Sequence, residues 1–85
     1  MVVRYTKDFI KDSKRLKSGQ KEKLKIRLKL FGQDQLDPTL NNHSLKGKYL
    51  GYRSINVTGD LRVIYKREGD AVFFVAIDSH SKLYG

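Results

Sequence analysis

Ile55-Asn56-Val57-Thr58-Gly59-Asp60-Leu61-Arg62-Val63-Ile64-Tyr65 is the stretch that decides the fold of this 85-residue chain. Apolar residues alternate on both sides of Thr58-Gly59-Asp60, a turn-forming triplet, and so spell a β-hairpin. A three-residue loop pairs Val57 with Leu61 and sets Asn56 opposite Arg62. Ile55, Val57, Leu61, Val63 and Tyr65 then share one face, which suits a core. The other face carries Ser54, Asn56, Arg62 and Lys66. A two-residue loop would give a different pairing.

Working outward, the hairpin strands span Tyr49 to Val57 and Leu61 to Lys66. A second turn at Glu68-Gly69-Asp70 leads to a third strand, Ala71 to Ile77. That strand is apolar on both faces, which predicts a central, covered position. Upstream, Gly32 to Asn42 is rich in breakers and reads as a loop, with Leu36 pinning it to the core.

Two helices precede that loop. Thr6 is placed to cap the first, with Asp8 in its first turn and Phe9, Ile10 and Leu16 on one face. Gly19 is expected to end it as a C′ residue. Lys21 to Phe31 fits two periods, because Leu24, Ile26, Leu28 and Leu30 alternate like a strand. Leu24, Leu28 and Phe31 also fall on one helical face, and the flanking Gln-Lys-Glu-Lys favours a helix. Val2 to Tyr5 reads as a short edge strand. The expected fold is α+β: a small antiparallel sheet, made of a short N-terminal strand plus a three-stranded meander, packed on an N-terminal two-helix hairpin.

The length suits one domain over residues 1–85. Nine aromatic residues and 39% apolar content provide one core, and without cysteine no disulfide supports it. No apolar run nears the ~20 residues of a membrane span, so a cytoplasmic protein with no membrane partner is expected. Net charge is +9, unevenly spread: residues 1–33 hold eleven Lys/Arg against three acids, while residues 34–85 hold seven against six. Clustered lysines suit a polyanion or an acidic protein partner, although a solvated basic face needs neither.

Candidates for chemistry are few. His43 and His80 are the side-chain types that titrate near neutrality. Asp60 is a turn carboxylate, Tyr84 a phenol near the end of the chain, and Arg62 beside Asn56 makes a candidate phosphate cradle. Each also has a structural reading as a solvated loop, turn or surface residue. Two histidines without cysteine make a poor zinc set, and no nucleophile elbow or phosphate loop is present, so neither metal nor other cofactor is expected. Acid–base work on RNA fits, because the 2′-hydroxyl is a built-in nucleophile.

His43-x-Leu45-x-Gly47, Gly51-Tyr52-Arg53, Asp60, Ile64-Tyr65 and Ser79-His80-Ser81-x-Leu83-Tyr84-Gly85 together resemble the RelE/ParE superfamily of type II toxins, most closely its YafQ-type branch of mRNA interferases. The resemblance implies a RelE-like fold and a ribosome-dependent endoribonuclease that cleaves mRNA in the ribosomal A site. It implies His43, Asp60 and His80 as acid–base groups, Tyr84 as the C-terminal aromatic, and Arg62 as the transition-state cation. Lys46, Lys48, Asn56 and Lys66 would contact RNA. The implied partners are a cognate antitoxin, in a heterotetrameric or larger complex, and ribosomal RNA through the basic helices. YafQ-like members carry histidine where Asn56 stands, a bulky aromatic at Leu61 and arginine at Ala76. Arg53 falls on the apolar face and is left out of the site. The alternative is a non-catalytic ParE-like toxin or a basic RNA-binding module.

Overall fold

The computed structural model describes residues 1–79, apart from the side chain of Asp78. Strand β1 (Val2–Tyr5) leads into helices α1 (Lys7–Lys14) and α2 (Ser18–Gln33). Strands β2 (His43–Ser44), β3 (Arg53–Asn56), β4 (Leu61–Glu68) and β5 (Ala71–Ser79) follow, with 3-10 turns at Pro38–Leu40 and Gly47–Tyr49. One five-stranded sheet has the order β1-β5-β4-β3-β2. The α+β fold is as expected, with two additions. His43–Ser44, expected in a loop, forms an extra edge strand on β3. The sheet is mixed rather than antiparallel throughout, because β1 enters beside β5 in the parallel sense.

The hairpin register agrees with the alternation. Asn56 pairs with Arg62 and Ile55 with Val63, and the Val57 amide donates to the Leu61 carbonyl at 2.9 Å. The Leu61 amide donates to Thr58 Oγ1 at 3.0 Å, which closes the turn. Ile55, Val57, Leu61, Val63 and Tyr65 are all buried. On β5, Phe74 and Ile77 join the same core although they stand three residues apart. A β-bulge permits this: Ile64 pairs with Ala76 and Tyr65 with Phe74, which leaves Val75 as the extra residue.

The helices cover this core face with Phe9, Leu24 and Phe31. The Phe31 ring meets Tyr65 at 4.9 Å and Phe74 at 5.4 Å, both edge-on, a geometry that adds about 0.5–1.5 kcal/mol per pair beyond burial. Thr6 caps α1 by accepting from the Phe9 amide at 3.2 Å, and its hydroxyl reaches the Phe74 carbonyl. Helix α2 takes the helical period, and Ile26, inward only on the strand reading, is exposed.

Three expectations are corrected. Gly19 does not end α1. That helix stops at Lys14, with the Arg15 amide folding back to Asp12 and Ser13, and Gly19 lies in the first turn of α2. A side chain supplies that start, as Gln20 Oε1 accepts from the Lys17 amide at 3.0 Å. Leu36 does not pin the loop, being 73% exposed. Leu40, at 0%, takes that place, because the Asp37 carboxylate accepts from the Thr39 amide and winds the 3-10 turn that delivers it. Strand β3 begins at Arg53 rather than Tyr49, since Gly47 (φ 64) and Gly51 (φ 92) fold the preceding residues into turns. Among the described residues, no helix is long and apolar enough to cross a membrane.

Candidate nucleic-acid interface

Residues that alternate with the core ones build the opposite face of the sheet. Register places His43, Ser54, Ile64 and Ala76 in one row across four strands, with Asn56 and Arg62 in the next. Leu45 and Ile64 form a small buried cluster on this face, flanked by Tyr49, Tyr52, Val75 and Ala76. Ser54 is fully buried, and neither its Oγ nor the buried Oδ1 of Asn56 has a hydrogen-bond partner among the described residues.

His43 is exposed at the sheet edge, and its Nδ1 lies 2.9 Å from the Asn41 carbonyl. A carbonyl can only accept, so Nδ1 carries the proton in this contact, and in the neutral ring Nε2 is the acceptor. Asn41 reaches this position in the left-handed region, at φ 46. Behind it, Arg53 Nε donates to Asn42 Oδ1 at 2.7 Å, and Asn42 Nδ2 donates to the Gln35 carbonyl and to the Tyr65 hydroxyl. This chain ties the residue before His43 to the core. Sequence reasoning set Arg53 aside and missed Asn42. The available signal was Tyr65, a core tyrosine whose hydroxyl needs a partner.

Arg62 stands beside Asn56 as expected, but its Nη1 turns back to the Thr58 and Gly59 carbonyls at 3.0 and 3.1 Å. The guanidinium therefore braces the turn that exposes Asp60. Its Nε and Nη2 make no hydrogen bond among the described residues. Lys46 and Lys48 are exposed on the loop between β2 and β3, and Lys48 Nζ lies 5.3 Å from the Tyr49 ring centre. Lys66 Nζ sits 5.7 Å over the Tyr52 ring and bonds Glu68 at 2.7 Å. The Glu68 hydrogen bond, then its charge, holds the Lys66 ammonium above the ordinary lysine range. Lys66 thus stays protonated, with its charge partly balanced by Glu68. His80 and Tyr84 lie outside the described residues.

Two hollows are lined by described residues. One of about 440 Å³ lies between α1 and the β2–β3 loop, with Val75 and Ala76 in its lining. The other, about 290 Å³, is a groove of the two helices lined by Lys14, Lys21 and Lys25 with Ser13 and Leu24. The basic half of the chain thus presents a concave surface as well as a charged one.

Helices on one face of a mixed sheet, and a polar row on the other, define a RelE/ParE-type toxin fold. Within that superfamily the chain belongs to the YafQ family, bacterial toxins of type II toxin–antitoxin systems, whose family model matches residues 1–85. It is similar to YafQ from E. coli strain BL21(DE3), with 28% identity, a TM-score of 0.79, and coverage of 98% of this chain and 97% of that one. YafQ in the E. coli DinJ–YafQ toxin–antitoxin complex matches at the same identity and TM-score, over 98% of this chain and 96% of that one. The YoeB/ParE toxin from Agrobacterium tumefaciens shares the fold at 20% identity and TM-score 0.76, over 94% of this chain and 99% of that one. No curated protein sequence matches the chain.

Proposed function

We propose that this protein, a single domain over residues 1–85, is the toxin of a type II pair. Its action is to cleave mRNA in the ribosomal A site by metal-independent acid–base chemistry. The observation that carries this reading is the fixed His43 ring, which leaves Nε2 as an acceptor on the sheet face that also holds Asn56 and Arg62. A base at that face takes the 2′-hydroxyl proton, and the 2′-oxygen attacks phosphorus. The bond to the 5′-oxygen breaks, and an acid protonates that leaving oxygen. The cleaved strand ends in a 2′,3′-cyclic phosphate and a 5′-hydroxyl, with no water consumed.

His43, Asp60 and His80 share the acid and base roles in this proposal, Arg62 stabilises the phosphorane, and Tyr84 holds the substrate. Lys46, Lys48, Asn56 and Lys66 contact RNA. Support for the RNA contact comes from the exposure of Lys46 and Lys48 on the loop between β2 and β3. The setting is the cytoplasm, where translating ribosomes supply the message and much of its positioning. A cognate antitoxin neutralises the toxin, a pairing supported by similarity to YafQ in the E. coli DinJ–YafQ toxin–antitoxin complex, and the assembly in this proposal is heterotetrameric or larger.

The deciding experiment is induction without antitoxin, followed by end-mapping of cellular messages. Cleaved messages with 5′-hydroxyl ends support the reading, and 5′-phosphate ends would show hydrolysis by water instead. Intact messages in arrested cells would favour the non-catalytic ParE-like alternative. That second reading has one observation behind it, the commitment of Arg62 Nη1 to the hairpin turn.

A further inference from the structure

The 440 Å³ hollow beside the sheet is within the size range of small-ligand sites. Its walls carry both signs of charge, Asp8 and Asp12 among Lys11, Arg15 and Lys48. Asp8 and Asp12 stand one turn apart on α1, so both carboxylates face the same space. Across from them lie the half-buried rings of Tyr49 and Tyr52, 6.1 Å apart and nearly perpendicular. Lys48 lines the mouth, and Ala76 contributes so small a side chain that the hollow stays open toward the sheet face.

This combination selects its occupant. The three cations of the lining can meet a phosphate, and the Asp8 carboxylate is left to meet a donor. Flat rings accept the face of a base, a contact worth roughly 1–3 kcal/mol per base. The carboxylates then ask for a base edge made of donors. Guanine offers a ring N–H next to an exocyclic amino group, the pair that two oxygens of one carboxylate accept together. Adenine and cytosine set an acceptor beside their amino group, and uracil has a single donor between two carbonyls. Asp12 already accepts from Arg15, whereas Asp8 makes no hydrogen bond or ion pair among the described residues. We propose that the hollow is a guanine pocket: one of the two tyrosine rings stacks on the base while the other meets its edge, Asp8 reads its donor edge, and Lys48 meets its phosphate.

The inference rests on the RNA-cleaving reading and adds a base preference to it. Ala76 ends the row that begins at His43, three strand spacings or about 14 Å away. One RNA strand running along that row would place its cleaved phosphate near His43 and a flanking base in the hollow. The preference then acts at a position away from the bond being broken.

The test is a titration of the full-length, isotope-labelled protein with GMP, AMP, CMP and UMP, followed by amide NMR. GMP should shift Tyr49, Tyr52 and Val75, and should half-saturate them at a concentration at least about tenfold lower than UMP, the low end of discrimination by a bidentate pair. Asp8→Asn and Asp8→Ala should each abolish that difference while the remaining amides keep their wild-type dispersion. Equal shifts from all four nucleotides would reduce the hollow to a site of charge alone and overturn the proposal. So would the absence of shifts at these residues up to millimolar GMP, or a preference that survives both Asp8 variants. The titration needs no cleavage. A protein that binds GMP here but leaves messages intact would sink the ribonuclease reading and spare the pocket.

Discussion

The hydroxyl of Tyr65 lies 2.8 Å from Asn42 Nδ2, so a ring anchored in the core holds the residue next to His43. Tyr65→Phe keeps the ring and removes the bond. Unfolding free energy should fall by about 1 kcal/mol, a drop in Tm of ~4–8 °C for a domain of this size. Hydrogen exchange at His43 and Ser44 should accelerate more than in α2. Uniform acceleration would mean that the bond serves global stability and does not position the histidine.

Arg62 braces a turn and, in the proposed mechanism, also meets a phosphate, two tasks that lysine cannot combine. A guanidinium fork reaches two acceptors in one plane, whereas an ammonium is a point charge. Arg62→Lys should lower single-turnover cleavage on programmed ribosomes by about 10²-fold or more. Ribosome binding should barely change, as one cation among eighteen Lys/Arg is a small part of the field. Cleavage at the wild-type rate would move the phosphate cation to Lys46, Lys48 or Arg53.

Lys14, Lys21 and Lys25 share one groove on the helical side. Reversing their charge to glutamate should slow association with the antitoxin and flatten its salt dependence, because steering scales with the local field. Stopped-flow association at two ionic strengths measures this. An unchanged on-rate would leave the basic groove to ribosomal RNA.

Asp37 gives a pH signature. The Thr39 amide and hydroxyl bond its carboxylate and lower its pKa, Arg27 adds a weaker push in the same direction, and desolvation opposes them. A folded-state pKa below the unfolded one stabilises the fold fully above the unfolded value, near pH 4. That contribution is lost as pH falls through the folded value. Asp37→Asn keeps an acceptor but no charge, so it should be less stable than wild type at neutral pH. The gap should close in acid below pH ~4. A gap that stays constant down to pH 2 would show that the charge contributes nothing.

Leu36 and Leu40 separate position from hydrophobicity. Leu40→Ala should cost about 2–5 kcal/mol, since the side chain is fully buried. Leu36→Ala should stay within about 0.5 kcal/mol. Denaturant melts of the two variants decide it, and similar losses would refute the placement of Leu40 as the anchor.

These contrasts show what the sequence makes legible. Strand alternation around a Gly-containing turn determines which residues of Ile55–Tyr65 face inward, so that register could be read directly. The loop anchor could not, because Leu36 and Leu40 are alike in hydropathy and only the Asp37 cap selects one. The direction of β1 is equally silent in four residues, as parallel and antiparallel partners ask for the same side chains. Gly19 misled because glycine marks helix ends more often than first turns. In the site, Asn56 and Arg62 were found on the expected face, whereas His43, read as a loop residue, joined it through an edge strand. The turn of Arg62 Nη1 toward carbonyls is a rotamer choice that no spacing encodes, and His80 and Tyr84 lie beyond the described residues.

The bulge at Val75 separates chain length from packing. Deleting that one residue would leave a regular strand in which Ile77 still meets Val63 and Phe74 still meets Tyr65. The core would therefore register almost no change, while the lining of the hollow beside α1 would lose a residue and the strand its local twist. A relative could gain or lose a residue here without an obvious scar on its stability and emerge with a differently shaped site. Drift in substrate preference and persistence of the fold can thus proceed independently, through a single position on one strand.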